Sequence, residues 1–265
     1  MPELPEVEGY RSLAERSALG REIAAVDAHD AWYLKRGLVG SAASAALVGR
    51  QLVSARRHGK LLLLDASHGG EVDVILGLHF GMSGRLIVDG RASVDRLLYA
   101  PAGDEFRHDR FTLHFRDAGW LAMRDPRRLG GVELDPDEQR LGPDASSVTL
   151  ADVRLALTGS SVALKARLLD QTRISGIGNL IADEVLWRAG LAPARPASSL
   201  SPSELRRLHR HLTDGLAELI RRGGSHMGDL QPERRRGGRC PRDHAALSRG
   251  VVGGRTTWWC PRHQR

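Results

Sequence analysis

Arg173-Ile-Ser-Gly-Ile-Gly-Asn-Leu-Ile-Ala-Asp-Glu-Val-Leu-Trp187 is the stretch on which the fold of this chain turns. Gly176 and Gly178 precede Asn179, the only asparagine among 265 residues, and an apolar-periodic run follows. Ile181, Val185 and Leu186 share one face at helical spacing, and Gly190 stands where the helix should stop. A Gly-x-Gly-Asn turn opening a helix directs several backbone N–H groups and the positive end of a helix dipole to one side, which suits a phosphate. The alternative is a plain helix–turn–helix corner whose glycines only permit tight packing. Helical patterns from Val162 to Gln171 and from Pro202 to Arg222 flank the stretch, so the region reads as helix, glycine-rich turn, helix.

Length suits one large or two ordinary domains with real cores. The net charge is +7 and the isoelectric point about 10.2. Arginine supplies most of the positive charge; the only lysines are Lys35, Lys60 and Lys165. From Gly223 onward nine arginines face Asp229, Glu233 and Asp243, which concentrates +6 of the charge in the tail and points to a polyanionic partner. Two cysteines exclude a disulfide framework. No window has the length of apolar residues that a membrane span needs, and the N-terminus has no signal-peptide pattern, so a soluble cytoplasmic protein is expected.

The chain opens Met1-Pro-Glu-Leu-Pro-Glu-Val-Glu8, followed by a helical pattern to about Ala18. Pro2 has a side chain small enough for the initiator methionine to be removed, which would leave a secondary amine. A free N-terminal amine has a pKa of about 8, so much of it is uncharged near neutrality and able to attack a sugar carbon, with Glu3 and Glu6 at hand to move protons. The simpler reading is two prolines at favoured helix-start positions with acids in the first turn. Residues 21–134 read as short strands separated by turns, including Arg21–Val26, Leu52–Arg56, Leu61–Leu64, Val72–Leu78, Arg85–Val88, Phe111–Phe115 and Trp120–Met123, which favours an antiparallel sandwich or barrel.

Three loops in this half stand out. Arg56-Arg-His-Gly-Lys60 could hold a phosphate. His79-Phe-Gly-Met-Ser-Gly84 places Met82 on a turn, where an exposed apolar side chain can wedge into a base stack. Arg124-Asp-Pro-Arg-Arg-Leu-Gly130 sets Arg127 and Arg128 on a proline turn suited to backbone phosphates; a solvated salt-bridge cluster is the plain alternative. An acidic, turn-rich segment from Leu134 to Asp144 reads as the linker, and helical patterns at Leu150–Leu157, Val162–Gln171, Leu180–Ala189 and Pro202–Arg222 make the second half α-helical. At the C-terminus Cys240-Pro-Arg-Asp-His244 and, fifteen residues later, Cys260-Pro-Arg-His263 offer paired soft and imidazole ligands for one tetrahedral zinc, with Cys240, His244, Cys260 and His263 the favoured set and Asp243 the competitor for the second place. Between them Val251–Trp259 alternates around Gly253-Gly254 and reads as a hairpin carrying Arg255 near its tip.

These features, in this order and from end to end, resemble the formamidopyrimidine-DNA glycosylase and endonuclease VIII family of bacterial base-excision repair enzymes. The matching parts are Pro2-Glu-Leu-Pro-Glu-Val-Glu8, Lys60, His79-x-Gly-Met-Ser-Gly84, Asp125-Pro-Arg-Arg128, Gly176-Ile-Gly-Asn179, and Arg255 ahead of a terminal metal hairpin. The resemblance implies an α+β fold: an N-terminal β-sandwich flanked by helices over 1–138, then a helix-two-turn-helix domain over 139–265 whose residues 237–265 form a zinc-finger hairpin. It implies a monomeric bifunctional glycosylase and lyase acting on double-stranded DNA, without a membrane partner, in the bacterial cytoplasm at the nucleoid. Pro2 would attack C1′ of a damaged nucleotide, Glu3 would move the proton, and β- then δ-elimination would cut the strand. Lys60, Asn179 and Arg255 would clamp phosphates, Met82 and Arg127 would fill the gap left by the extruded nucleotide, and Arg128 would complete the DNA-binding loop. Two departures from the family are visible: the finger lacks two of four cysteines, and Leu129 replaces a phenylalanine. The segment Gly223–Arg239 is also short, which points away from 8-oxoguanine and leaves ring-opened purines, oxidised pyrimidines, hydantoins or bulkier adducts open. The rival from another class is a damaged-DNA-binding protein of the same fold without catalysis; the Pro2-Glu3 pair favours the enzyme.

Overall fold

A computed structural model describes residues 2–93 and 106–265, which form two compact units. The first comprises Pro2 and Glu6–Glu138; the second comprises Glu3–Pro5 and Gln139–Arg265. Met1, whose removal the sequence predicts, lies outside the described residues.

In chain order the first unit holds most of α1 (Leu4–Ser17), then β1 (Ile23–Asp27), α2 (Gly40–Leu47), β2 (Gln51–His58), β3 (Leu61–Ser67), β4 (Val72–His79), β5 (Arg85–Val88), β6 (Arg91–Ala92), β7 (Asp109–Phe115), β8 (Trp120–Arg124) and β9 (Gly131–Leu134). Two antiparallel sheets result, ordered β1-β7-β8-β5-β6 and β2-β3-β4-β9. Leu62, Leu64, Leu76 and Leu78 from one sheet and Ile23, Leu86, Val88, Leu113, Leu121 and Met123 from the other share one core, to which α1 adds Val7, Tyr10 and Leu13. This is the expected sandwich. The sequence reading missed α2, whose Gly-Ser-Ala-Ala-Ser-Ala-Ala-Leu composition is rich in the best helix former; Ala43 and Leu47, one turn apart, bury its inner face.

One consequence of register matters for function. Leu61 of β3 pairs with His79 of β4, and His79 pairs with Gly131 of β9. The turn at Gly59-Lys60, the turn Phe80–Gly84 and the loop Asp125–Gly130 therefore leave the sheet at the same end.

The second unit contains α3 (Leu150–Leu157), α4 (Leu164–Leu168), α5 (Asn179–Ala189), α6 (Pro202–Arg222) and a hairpin of β10 (Ser248–Val252) with β11 (Arg255–Trp259). Gly190 stops α5 in the left-handed conformation, as its position predicts. The helix expected over Val162–Gln171 is only the five-residue α4. Its C-terminal part is claimed by side chains: Asp170 Oδ1 accepts from Thr172 N at 3.0 Å, and Gln171 Nε2 donates to the carbonyls of Leu169 and Ile177 at 2.8 and 2.9 Å. Gln171 Oε1 also accepts from Gly176 N at 3.0 Å, fixing the approach to the glycine-rich turn. Leu4 belongs to the core of this unit, beside Ile174, Ile177 and Ile181.

The 21-residue α6 starts with Pro202 behind a capping box of Ser201 and Glu204 and ends at Gly223. The guanidinium of Arg195, first, and the capping bonds of Ser201 hold the Glu204 carboxyl down at about 2. A folded-state pKa below the unfolded value of about 4.3 stabilises the fold above that pH, and the contribution is lost as pH falls toward 2. Glu204→Gln is expected to lower Tm at pH 7 and to flatten the decline of Tm between pH ~4.5 and ~2; a variant whose decline over that window matches the parent would refute the assignment.

Candidate functional site

The glycine-rich turn opens α5 as expected, but its N-terminus is already taken. Glu3, fully buried, accepts hydrogen bonds from Leu180 N at 2.8 Å and Ile181 N at 3.0 Å. A carboxylate thus satisfies two orphan N–H groups and meets the positive end of the helix dipole. This corrects the expectation of a backbone phosphate cradle at that point. The glycines are explained by the same contact: a Cβ on Gly178 would lie 2.1 Å from Cδ of Glu3, and one on Gly176, at φ +103, would lie 2.6 Å from Cδ1 of Leu4. Leu4 N also bonds to the Gly176 carbonyl at 3.3 Å. Pro2, one peptide bond before Glu3, is buried. The Pro2 nitrogen and a carboxyl group held by two N–H donors are therefore adjacent by covalent structure.

Asn179 is the first residue of α5, half-buried, and its Oδ1 is buried with no hydrogen-bond partner among the described residues. Arg255 begins β11 directly after the Gly253-Gly254 turn, where both glycines have positive φ. Its guanidinium is exposed and unpaired among the described residues. The two approach each other because β11 runs against α5. Trp258 N donates to Asp183 Oδ2 at 3.2 Å in mid-helix, while His263 Nε2, just beyond β11, lies 3.2 Å from the carbonyl of Trp187 near the helix end. Traced back about 10 Å from Trp258 to Arg255, and about 6 Å from Asp183 to Asn179, strand and helix lead to the same end. The start of α5, with Glu3 and Asn179, and the start of β11, with Arg255, therefore lie at that end.

In the first unit the end of the sheet collects Lys60, Met82 and Arg127. Lys60 sits in the β2–β3 turn and is half-buried, as is Met82, which its turn position led us to expect exposed. The Met82 turn and the arginine loop are locked together by Asp125. Its Oδ1 accepts from Ser83 Oγ at 2.5 Å and from Arg127 N at 3.2 Å, and its Oδ2 from Gly130 N at 2.8 Å. Gly81, at φ +56, passes so close that a Cβ would lie 2.3 Å from the Leu129 carbonyl carbon. The two arginines differ. Arg127 projects with no ion-pair partner among the described residues. Arg128 binds Asp30 with Nε at 2.8 Å and Nη2 at 2.6 Å, and this guanidinium holds the Asp30 carboxyl below the usual carboxylate range. For Arg128 the salt-bridge alternative describes the folded chain; Arg127 keeps its charge available.

Among the described residues, Cys240, Asp243, Cys260 and His263 form a C-terminal group that could hold a metal ion; their donor atoms all lie within 4.8 Å of one another. His244 is not part of it. Its φ of 57° turns the chain so that the exposed imidazole points elsewhere, while its N–H closes the turn onto the Cys240 carbonyl. The Ala245 N–H bonded to Oδ1 orients Asp243 and, more than any other group, holds its carboxyl down at about 2. Zinc bonds of about 2.3 Å to sulfur and about 2.0–2.1 Å to nitrogen or oxygen, at tetrahedral angles, separate neighbouring donors by about 3.3–3.6 Å. Cys240 Sγ and His263 Nδ1 are 3.6 Å apart, Cys260 Sγ and Asp243 Oδ2 3.4 Å, and His263 Nδ1 and Asp243 Oδ2 3.4 Å. The donors fit. His263 Nε2 lies 3.2 Å from the Trp187 carbonyl, the outer hydrogen bond that orients a ligating imidazole.

The sequence reading overlooked two organising groups. Asp125 was visible only as a neighbour of arginines, although an acid between Arg124 and Pro126 was a signal for a turn-bracing carboxylate. Asp183 sits at an apolar-looking helix position and gave no periodic signal at all.

A family model for the formamidopyrimidine-DNA glycosylase N-terminal domain matches residues 1–132, and one for the formamidopyrimidine-DNA glycosylase H2TH domain matches residues 141–230. The chain is 35% identical over 294 residues to the formamidopyrimidine-DNA glycosylase of Cereibacter sphaeroides, covering 100% of both. It is 31% identical to that of Streptococcus pneumoniae over 289 residues, covering 100% of this chain and 99% of the other. Among solved structures, the Lactococcus lactis Fpg in complex with abasic-site DNA superposes with a TM-score of 0.82 at 28% identity, covering 99% of each chain. The Lactococcus lactis protein bound to DNA containing N7-benzyl-Fapy-dG gives 0.83 at 28% identity over 100% of both.

The Glu3–α5 contact makes a direct prediction. Gly178→Ala should destabilise the fold by about 2 kcal/mol, because the methyl group displaces a buried carboxylate from its N–H partners. In a Glu3→Ala background the same substitution should cost nearly nothing. Denaturant unfolding of the four proteins measures the coupling; equal cost in both backgrounds would separate Gly178 from Glu3.

Proposed function

The chain belongs to the formamidopyrimidine-DNA glycosylase family, and from that premise we propose that it removes damaged bases from duplex DNA with Pro2 as nucleophile and cuts the abasic strand. The observation that carries this reading is the buried Glu3 carboxylate, fixed by two backbone N–H groups immediately after Pro2. Once Met1 is removed, the secondary amine of Pro2 attacks C1′; the glycosidic bond breaks and the base departs with the bonding electrons and a proton. The sugar ring opens as an iminium forms on Pro2; the Glu3 carboxylate takes the proton that the Pro2 nitrogen sheds and passes it to the ring oxygen, while water protonates the departing base. Loss of the C2′ proton expels the 3′ phosphate, and a second elimination expels the 5′ phosphate. Formamidopyrimidine lesions and abasic sites are the substrates that the family supports.

Asn179 and Arg255, gathered at the start of α5, hold phosphates on either side of the extruded nucleotide. Lys60 supplies a further cation. Met82 and Arg127, carried on two loops braced by Asp125, occupy the space that the nucleotide vacates. Cys240, Asp243, Cys260 and His263 hold one zinc ion, which would serve as a structural clamp for the hairpin. Among the described residues no helix is long and apolar enough to cross a membrane.

Borohydride trapping on duplex DNA with an abasic site is the direct test. A covalent adduct on Pro2 is expected, absent when the amine is blocked by a retained methionine; an adduct on one of the three lysines would move the nucleophile. Glu3→Gln should abolish excision while leaving binding within about tenfold, and tight binding with no adduct in the parent protein would favour the non-catalytic reading. Arg255→Ala should weaken lesion-DNA binding by about 1–3 kcal/mol. Elemental analysis should find about one zinc per chain, lost in Asp243→Ala and retained in His244→Ala; the reverse pattern would restore His244 as the ligand.

A further inference from the structure

A knot of buried charge lies beneath β11, outside the groups assigned to DNA or metal. Lys165 of α4 and Asp183 of α5 are both fully buried, with Nζ 2.7 Å from Oδ1. Arg234, nearly buried, donates to Asp183 Oδ2 from Nη2 at 2.9 Å and Nε at 3.1 Å. The remaining contacts reach the hairpin. Lys165 Nζ donates to Thr257 Oγ1 at 2.7 Å and to the Thr256 carbonyl at 3.2 Å, and Asp183 Oδ2 accepts from Trp258 N. On the other side of the turn, Gly253 packs so closely on α4 that a Cβ would lie 2.8 Å from Cβ of Ala166, the neighbour of Lys165.

Residues 165 and 166 thus grip the hairpin two positions before Arg255 and one and two positions after it. The metal ligand Cys260 is five residues further along the strand, about 16 Å away. Metal anchors the far end of β11, whereas α4 anchors the tip.

We propose that Lys165 and Asp183 are positioning residues for Arg255: they fix the backbone on which its guanidinium stands and act on DNA only through it. The inference rests on the phosphate role proposed for Arg255. Lys165 is the better residue to change, because its removal leaves Asp183 neutralised by Arg234, whereas removing Asp183 would leave two buried cations. Thr257→Val gives a second variant in which all three charges remain.

The experiment measures affinity for a duplex carrying a reduced abasic analogue over a range of salt. Losing one phosphate contact lowers the slope of log K against log salt by about 0.9. Arg255→Ala should show that drop, Lys165→Met should show the same drop with zinc content unchanged, and the double variant should fall no further. Thr257→Val should shift the slope in the same direction. A Lys165→Met protein with lowered Tm and the parental slope would make the knot merely structural and overturn the proposal. A double variant losing two increments would also overturn it, since the two residues would then act separately. If Arg255→Ala alone leaves the slope unchanged, the phosphate role itself fails and the positioning role falls with it.

Discussion

Two N–H groups at the start of α5 close on the carboxylate of Glu3, and much of the molecule follows from that contact. A buried carboxylate is costly unless its oxygens are satisfied, and a helix N-terminus provides the required donors together with a favourable dipole. To reach it, the N-terminal segment must pass against backbone, which requires glycine at 176 and 178. Leu4 then enters the core of the helical unit. With its first turn capped from outside, α5 is buried along most of its length, including Asp183 and Glu184. Each of those carboxylates holds a different segment: Asp183 holds β11, and Glu184 accepts from Asp229 N and Leu230 N in the loop after α6.

Much of this architecture was legible in the sequence, and the misses share a physical cause. Alternating short strands, the boundaries of α3 and α6, and the Gly253-Gly254 hairpin follow from local pattern and turn chemistry, and local rules suffice for them. The helix expected from Val162 ended early because Asp170 and Gln171 spend their side chains on the backbone, a competition that periodicity does not register. The N–H groups at the start of α5 are taken by Glu3, 177 residues from Leu180 in sequence, which a local reading of Gly176–Asn179 does not reach. For the metal site, the sequence favoured His244 over Asp243, whereas with the left-handed turn at residue 244 it is Asp243 that stands beside the other three donors.

The arginine loop shows how a basic protein allots its charges. Arg127 and Arg128 are adjacent and chemically identical, yet one is neutralised and the other is not. Asp30 binds the guanidinium of Arg128, and Asp125 gathers the backbone so that Arg127 projects alone. A count of arginines therefore overstates the cationic groups that a polyanion meets, and buried acids decide which arginines count. The cluster of Lys165, Asp183 and Arg234 applies the same economy in the interior.

The division of the N-terminal residues between the two units bears on how the protein is made. Glu3–Pro5 belong with residues from 139 onward, although they are synthesised first. The two N–H groups that hold Glu3 belong to Leu180 and Ile181, which emerge late in synthesis, and closing so long a loop is slow. The carboxylate next to Pro2 is thus fixed only in the completed protein, a consequence of contact order.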